Sequence, residues 1–167
     1  MDVIYTAGPQ AWKVRLVQGM AVVCTPVALW AGWEIARSYG LHPSEGGELA
    51  SLGVRLALGG SVAALGVFFL VGMWIYGRCY VMEAAVDEAR GVLGITLAGL
   101  PLRRRMEVPL DDVKGSRYHI GHTDTGKITV SAPWSSVRLR GRRLPLIVDG
   151  QGDFRDPELI AEHLFRE

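Results

Sequence analysis

The most informative segment of the sequence is residues 56–77, LALGGSVAALGVFFLVGMWIYG, which contains no charged side chain. As an α-helix its 22 residues would extend about 33 Å, enough to cross a hydrocarbon core of about 30 Å. Trp74 and Tyr76 lie near its end and Arg78 follows, an order that is typical of the headgroup level. A soluble α/β protein seldom needs so long an uncharged helix. The segment therefore predicts a membrane-spanning helix over residues 53–78.

A second apolar run, residues 16–33, precedes this helix and is long enough to span a bilayer. Three residues make it the less hydrophobic of the two runs: Gln18, Thr25 and Pro26. A cleaved signal peptide is the competing interpretation, but the apolar region is too long for one and it lacks a small-residue cleavage signature. We predict a first membrane-spanning helix over residues 14–36, preceded by a short N-terminal segment, residues 1–13.

The distribution of charge predicts how the two helices are oriented. Of the 35 charged residues, 27 lie in residues 78–167. Basic residues flank the outer ends of the two helices: Lys13, Arg15, Arg78, Arg90 and Arg103–Arg105. In the connecting loop, residues 37–52, the positive charge of Arg37 is instead offset by Glu45 and Glu48. Because basic residues concentrate on the cytoplasmic or matrix side of a membrane, both termini are predicted to lie there, and the chain begins with a membrane hairpin.

A face of small side chains is predicted along the second helix and includes Gly59, Gly60, Ala63 and Ala64. Small residues let two helix backbones approach closely, which stabilises helix association in lipid, where no hydrophobic effect drives it. We therefore predict that these residues form a helix-docking surface. Its partner is either the first helix of the same hairpin, which is the simpler interpretation, or a helix of another protein, and the two are compatible.

Residues 79–167 have a different pattern, in which short apolar runs alternate with turn residues. The runs predict strands at residues 80–86, 92–100, 106–110, 128–132, 137–140 and 144–148. A C-terminal helix is predicted after Asp156, a favourable N-cap, with Pro157 at its first position. The predicted fold class is thus a membrane α-helical hairpin of two transmembrane helices, followed by a small α+β, strand-rich domain with a C-terminal helix that faces the matrix or cytoplasm.

The sequence predicts no enzyme, no catalytic residue, no metal site and no cofactor. The patterns GxSxG, HExxH, CxxC and the P-loop are all absent from it. Asp124-Thr125-Gly126 matches the aspartic-protease triplet, but hairpin turns also select Asp and Gly, and we predict a turn. A strand would point His119 and His122 to opposite faces, which disfavours a shared metal ion. Residues 149–153 are predicted to form a solvated turn.

Two basic clusters remain: Arg103, Arg104 and Arg105 in the first, and Arg138, Arg140, Arg142 and Arg143 in the second. On neighbouring strands they would form one cationic face below the bilayer. This face would attract anionic lipid headgroups or an acidic partner subunit by about 1 kcal/mol per charge. The competing interpretation is a solvated strand face balanced by Glu107, Asp111 and Asp112. No aromatic residues alternate with the arginines and the net charge is only +1, so no nucleic-acid partner is predicted.

Short motifs give the sequence a resemblance to a known family. Tyr5-Thr6 precedes the first helix, which contains a proline, and Gly77-Arg78-Cys79-Tyr80-Val81 ends the second. A strand-rich domain then follows. This order resembles the transmembrane protein 70, 186 and 223 group of mitochondrial inner-membrane assembly or accessory factors.

The resemblance implies a non-enzymatic accessory subunit or assembly factor of a large energy-converting complex, either of the respiratory chain or ATP synthase. It implies a place in the mitochondrial inner membrane with both termini in the matrix; a thylakoid or bacterial inner membrane is the alternative compartment. The implied partners are subunits of that complex, and the basic clusters described above add membrane lipids, including anionic ones, as expected partners. The alternative function is a free membrane-tethered module with a pleckstrin-like sheet that binds lipid or protein.

Overall fold

The computed structural model describes residues 1–42, 45–100, 102–124 and 129–165. The chain forms two compact units. One is helical and comprises Leu16–Ile75, and the other is strand-rich and comprises Met1–Arg15 together with Tyr76–Glu167. The boundaries fall inside the two long helices, α1 (Pro9–Ser38) and α2 (Leu52–Cys79). The strand-rich unit therefore includes the first turns of α1 and the last turn of α2.

The helical unit consists of the greater part of α1 and α2, and both helices are long and apolar enough to cross a membrane. In the most apolar stretch of each, only 17% and 11% of the residues are buried within the structure. A core helix of a soluble protein would be mostly covered by the rest of the chain, so these fractions favour helices that lie in lipid.

Arg55 of α2 donates from Nη1 to the carbonyl oxygens of Ala36 and Arg37, at 3.0 and 3.2 Å. This contact places a cation at the negative end of α1.

The strand-rich unit contains three antiparallel sheets in the part of the chain that the structure describes. The largest has the order β10-β1-β2-β3-β4, in which the strands are Asp153–Phe154, Asp2–Thr6, Val81–Asp87, Val92–Leu97 and Arg104–Pro109. The second has the order β5-β8-β9, formed by Val113–His119, Trp134–Leu139 and Leu146–Asp149. β6 (His122–Asp124) pairs with β7 (Thr129–Ser131). The C-terminal helix α3 comprises Pro157–His163.

The core of this unit is built from apolar residues that alternate along the strands. In β3, Leu93, Ile95 and Leu97 are buried, and their spacing of two residues directs them to one face of the sheet. Strands β8 and β9 contribute alternate residues in the same way. The C-terminal helix and its cap add Ile160 and Leu164. All of these belong to one continuous cluster, so the two larger sheets and α3 share a single core.

The C-terminal helix begins at the predicted position. Oδ1 of Asp156 accepts a hydrogen bond from the backbone N–H of Leu159 at 3.1 Å, and Pro157 is the first helical residue. This cap satisfies one of the backbone donors that the first turn of a helix leaves unpaired. The predicted fold class, a helical hairpin followed by a strand-rich domain with a C-terminal helix, is confirmed.

The first strand is the main element that the sequence pattern does not predict. β1 lies within residues 1–13, which the pattern marks only as a segment before the hairpin. It pairs with β2, with Thr6 opposite Glu83, and with β10 on its other edge. Ile4 and Tyr5 are buried in the core. A single short strand whose partners lie far along the chain leaves no local signal, because neither a hairpin turn nor a neighbouring strand marks it.

Two further strands within residues 113–132, β5 and β6, are also not predicted by the pattern. The pattern does not predict β5, because its exposed residues are mostly polar, as is usual for a strand at the edge of a sheet. β7 falls inside the predicted strand 128–132. Of the turn predicted at Asp124-Thr125-Gly126, the last two residues lie outside the described part of the chain.

Candidate functional site

The two long helices contact each other backbone to backbone. A Cβ atom built on Gly32 would lie 2.5 Å from the carbonyl oxygen of Gly59 and 3.0 Å from Cβ of Ala63. Likewise, a Cβ on Gly59 would collide with the carbonyl oxygen of Gly32. Farther along α2, a Cβ on Gly66 would lie 2.6 Å from that of Ala28. We call this contact the hairpin seam; it is formed by Ala28 and Gly32 of α1 and by Gly59, Ala63 and Gly66 of α2.

Two polar residues of α1, Thr25 and Gln18, also face α2. Thr25 is buried, and its Oγ1 lies 2.6 Å from the carbonyl oxygen of Ala21 and 3.1 Å from that of Gly66. Gln18 is buried as well, and its Nε2 donates to the carbonyl oxygen of Met73 at 3.4 Å. Such bonds satisfy polar groups for which lipid offers no partner. Two of the residues that make the first apolar run less hydrophobic thus connect the two helices.

The structure divides the predicted helix-docking residues into two groups. Gly59 and Ala63 lie in the hairpin seam and contact α1. Gly60 is exposed, with nothing within 4 Å of a Cβ atom built on it, and Ala64 is half-buried. Gly60 therefore belongs to the outer surface of α2, where it is open to lipid or to a helix of another protein.

The strand-rich unit has a cavity of about 550 Å³ with a basic lining. Five arginines line it: Arg78, Arg104, Arg140, Arg142 and Arg143. Arg104 belongs to β4, and the last three belong to the segment between β8 and β9. The carboxylates of Glu107 and Asp112 also line the cavity, so the described lining has a formal charge of +3. We call it the arginine-lined cavity; it brings together four residues of the two predicted basic clusters.

Three of the predicted residues lie elsewhere. Arg103 precedes β4 and is exposed. Nη2 of Arg105 lies 3.7 Å from the sulfur of Met1, and Arg138 lines a neighbouring cavity beside Lys114. Conversely, Arg78 lines the arginine-lined cavity although it belongs to neither predicted basic cluster. Its position directly after the apolar run assigns it to the end of α2 but does not reveal which residues approach it.

Arg142 connects three segments around the arginine-lined cavity. Its Nε donates to the carbonyl oxygen of Leu144 at 3.1 Å, and its Nη1 contacts the sulfur of Met106 at 3.2 Å. Its Nη2 donates to the carbonyl oxygen of Arg78. Partial burial, together with repulsion by Arg104 and Arg78, lowers the pKa of Arg142. The guanidinium still stays charged near neutral pH, since its ordinary pKa is above about 12.

Arg104 and Arg143 are available to a ligand. Both are exposed, and among the described residues neither side chain has a hydrogen-bond or ion-pair partner. The two lining carboxylates already pair with other arginines, at 3.4 Å for Glu107 and 3.9 Å for Asp112. The arginine-lined cavity therefore offers two unpaired guanidinium groups, whose donor geometry matches the oxygens of a phosphate or a carboxylate.

A second cluster joins the two segments that flank the hairpin. The hydroxyl of Tyr5, in β1, accepts a hydrogen bond from the backbone N–H of Asp149 at 3.1 Å and lies 3.2 Å from its carbonyl oxygen. The hydroxyl of Tyr80, which follows α2, donates to Oδ2 of Asp149 at 3.2 Å. Burial above all, with the negative charge of Asp149, raises the pKa of both tyrosines well above its ordinary value of 10.0. Both hydroxyls therefore stay protonated near neutral pH, and the cluster connects β1, the residue after α2 and the end of β9.

The contacts of Asp149 extend beyond the solvated turn that is predicted over residues 149–153. Its Oδ1 does accept a hydrogen bond from the backbone N–H of Gln151 at 2.9 Å, as in such a turn. Its other carboxylate oxygen, however, faces Tyr80. The sequence signal for this cluster is the pair of motifs Tyr5-Thr6 and Tyr80-Val81, which supply both hydroxyl groups.

The described residues contain no group of three or more His, Cys, Asp or Glu side chains that could hold a metal ion. The ring of His119 stacks on that of Trp134, with 4.0 Å between the ring centroids. Its Nε2 lies 3.4 Å from Oγ of Ser136. These contacts assign His119 to packing on the second sheet.

The order of these elements along the chain matches a known family. The model of the TMEM70/TMEM186/TMEM223 protein family matches residues 14–162. The chain belongs to this family. The TMEM70/TMEM186/TMEM223 match includes α2, the five arginines of the arginine-lined cavity and Asp149, and it begins after β1. It therefore contains Tyr80-Val81 but not Tyr5-Thr6.

Membership in the TMEM70/TMEM186/TMEM223 family confirms the resemblance drawn from the sequence. In general terms, it suggests a membrane protein that acts as a mitochondrial accessory or assembly factor. No curated protein and no solved structure matches the chain.

Proposed function

We propose that the chain is a non-enzymatic integral protein of the mitochondrial inner membrane that serves a large energy-converting complex as an accessory subunit or assembly factor. The complex is one of the respiratory chain or ATP synthase. The observation that carries this proposal is the family match over residues 14–162. The match includes most of the hairpin and residues 76–162 of the strand-rich unit. The proposal therefore assigns the membrane hairpin and the folded domain to the same function.

The pairing of β1 with β2 supports a topology with both termini in the matrix. β1 precedes α1 and β2 follows α2. Their register places Tyr5 opposite Ala84, so the segments before and after the hairpin belong to one sheet. Two strands of one sheet lie on the same side of a membrane. The excess of basic residues next to the hairpin then favours the matrix as that side.

The outer surface of the hairpin supports docking on other membrane subunits. Because small residues form the hairpin seam, bulky side chains point away from it: Trp30 and Trp33 are 65% and 66% exposed, and Phe68 is 72% exposed. In lipid, apolar surface alone does not select a partner, and helices associate where small residues permit close packing. We propose that the surface around Gly60 and Ala64 contacts helices of the complex.

The absence of enzymatic activity is part of the same proposal. Tyr5 and Tyr80 have strongly raised pKa values, but both side chains are buried in the core and their hydroxyls are hydrogen-bonded to Asp149. The proposed partners are subunits of the complex and membrane lipids, with no nucleic acid, in line with a net charge of +1.

The test is blue-native electrophoresis of membranes that contain the full chain with a small affinity tag, after solubilisation in a mild detergent. Every band that contains the chain is then analysed by mass spectrometry. Co-migration with a mature, active complex would identify an accessory subunit and its partners. Presence only in smaller subcomplexes would identify an assembly factor.

Migration of the chain alone, at the size of one hairpin protein, would contradict both forms of the proposal. It would favour the second candidate function, a free membrane-tethered module. The observation that favours this candidate is the arginine-lined cavity, since Arg104 and Arg143 are available to a ligand.

A further inference from the structure

Two loops of the strand-rich unit are hydrogen-bonded to the end of α2. In the loop between β3 and β4, the backbone N–H of Gly99 donates to the carbonyl oxygen of Gly77 at 2.9 Å. From the segment between β8 and β9, Arg142 donates to the carbonyl oxygen of Arg78. Gly77 is the last residue of the uncharged run. Both loops therefore lie beside the point at which α2 leaves the hydrocarbon core.

Each of these loops exposes a leucine next to an arginine. Leu102 is 77% exposed and precedes Arg103, and Leu144 is 45% exposed and follows Arg143. This pairing suits the interface of a bilayer, where an aliphatic side chain enters the acyl region and a cation remains among the headgroups. Leu144 also lines the arginine-lined cavity. The lining of the cavity is therefore partly apolar as well as basic.

The size and charge of the arginine-lined cavity fit a phosphate group with its nearest substituents. Its volume of about 550 Å³ is in the range of small-molecule sites, which is about 300–1,000 Å³. The two carboxylates of the lining pair with Arg90 and Arg140, and neither pairs with Arg104 or Arg143. Arg142 donates to backbone oxygens and contacts a thioether, which positions the segment that carries Arg143.

We propose that the arginine-lined cavity binds the phosphate of an anionic phospholipid from the leaflet in which α2 ends. Arg104 and Arg143 contact the phosphate oxygens, Arg142 is a positioning residue, and Leu102 and Leu144 enter the acyl region beside it. The exposed leucines and the attachment to Gly77 and Arg78 favour a lipid over an acidic protein segment. The proposal requires only that the hairpin spans a membrane, and it is independent of which complex the chain serves.

The test uses the purified full chain in dodecyl maltoside micelles. Dioleoyl-phosphatidylglycerol, dioleoyl-phosphatidylcholine or sodium phosphate at matched ionic strength is added in increasing amounts. Native mass spectrometry counts the lipids bound to each chain, and thermal unfolding measures stabilisation by each addition. The double variant Arg104→Gln/Arg143→Gln removes the two unpaired guanidinium groups of the cavity.

A matched control is Arg105→Gln/Arg138→Gln, which removes the same charge from exposed positions on β4 and β8 outside the cavity. We expect the original chain to bind phosphatidylglycerol in preference to phosphatidylcholine. The cavity variant should bind phosphatidylglycerol more weakly by on the order of 10-fold, and the control should lose much less. All four substituted side chains are exposed, so both variants are expected to fold, and their thermal midpoints without lipid check this.

Three results would overturn the proposal. Equal binding of the two lipids would show that the site does not select a negative headgroup. An equal loss in the control variant would assign the preference to general surface charge. Stabilisation by sodium phosphate as large as that by phosphatidylglycerol, and lost in the cavity variant, would identify a site for a soluble phosphate compound instead.

The result is separable from that of the proposed function. Lipid binding is measured on the isolated chain, whereas the proposed function is tested by co-migration in native membranes. If phosphatidylglycerol is not preferred but the cavity variant dissociates from the complex, the cavity contacts an acidic protein and the lipid proposal fails. If lipid binding is as expected but the chain migrates alone, the lipid proposal stands and the proposed function fails.

Discussion

The hydroxyl of Tyr80 lies 3.2 Å from the carboxylate oxygen Oδ2 of Asp149, which connects the residue after α2 to the end of β9. Tyr5 reaches the main chain of the same aspartate from β1. The largest sheet contains β1, whereas β9 belongs to the second sheet. The two tyrosines thus connect both sheets to the segments that immediately precede and follow the membrane hairpin.

Replacement of Asp149 should destabilise the strand-rich unit. In Asp149→Ala the buried hydroxyl of Tyr80 loses its acceptor, which should lower the free energy of unfolding by about 1–3 kcal/mol. The bonds of Tyr5 go to the main chain and remain possible. Chemical unfolding of the full chain in detergent would measure the change. The matched control is Asp153→Ala, which removes an exposed ion pair with Arg155 and should change stability by less than about 1 kcal/mol; equal effects of the two variants would argue against the cluster.

Stability should fall in alkaline solution because of the same tyrosines. Their pKa values are raised in the folded chain, so above pH ~10 the unfolded chain loses protons that the folded chain retains. The contribution of the two tyrosines to the free energy of unfolding is complete below pH ~10. As the pH rises above this value, the contribution is lost by up to about 1.4 kcal/mol per pH unit for each tyrosine. Unfolding midpoints between pH 8 and 11 would check this. The decline should be shallower in Tyr80→Phe, and an unchanged slope would contradict the assignment.

The hairpin seam predicts that adjacent glycines of α2 respond differently to substitution. Gly59→Leu would place a side chain against the backbone of Gly32, and overpacking of this kind costs about 1–3 kcal/mol or more. Gly60→Leu points to open space and should leave the thermal midpoint of the purified chain nearly unchanged. Thermal unfolding in detergent would compare them. Equal destabilisation by both would contradict the assignment of Gly59 to the seam.

Association with partner helices, in contrast to stability, should be weakened by substitution of Gly60. Gly60 lies on the outer surface of α2, so Gly60→Leu should reduce the fraction of the chain that co-migrates with its complex by about fivefold, as expected when close helix packing is lost. Gly72→Leu is a matched control, since a Cβ on Gly72 also meets nothing within 4 Å and the residue lies on a different face of α2. Unchanged co-migration of Gly60→Leu would remove this surface as a docking site.

The hydrogen bond across the hairpin seam can be tested with an isosteric change. Thr25→Val keeps the shape of the side chain and removes the hydroxyl that lies 3.1 Å from the carbonyl oxygen of Gly66. The hairpin should lose about 0.6 kcal/mol, the average for such bonds between membrane helices. Thr25→Ser, which keeps the hydroxyl, should lose less through this bond. If Thr25→Val is as stable as the original chain, the bond does not hold the helices together.

The elements that the sequence predicts well are those with strong local signals. Both long helices follow from uncharged runs, and α3 follows from Asp156 and Pro157, whose effects act within one turn. The strand β1 could not be predicted in the same way, because Tyr5 is buried by residues that occur much later in the chain. Likewise, β5 is an edge strand whose polar residues hide the alternation on which strand prediction depends.

The candidate site was predictable only in part, for a related reason. Both basic clusters are visible in the sequence, and four of their residues line one cavity. Which four depends on the register of β4 and on the path of the segment between β8 and β9, and neither is a local property. Arg78 and Asp149 become part of their clusters only through tertiary contacts, although each stands next to a recognisable sequence feature.

The pairing of β1 with β2 has a consequence for biogenesis. β1 is synthesised first, but its partner exists only after both helices have been made. If a chain inserted with a single crossing, β1 and β2 would be on opposite faces of the membrane, and the sheet could not be completed. Ile4 and Tyr5 would then lose their place in the core, and an unpaired edge of β2 would be open to aggregation. Completion of this sheet therefore requires that both helices cross the membrane, so the folded domain can form only in a chain whose hairpin has been inserted correctly.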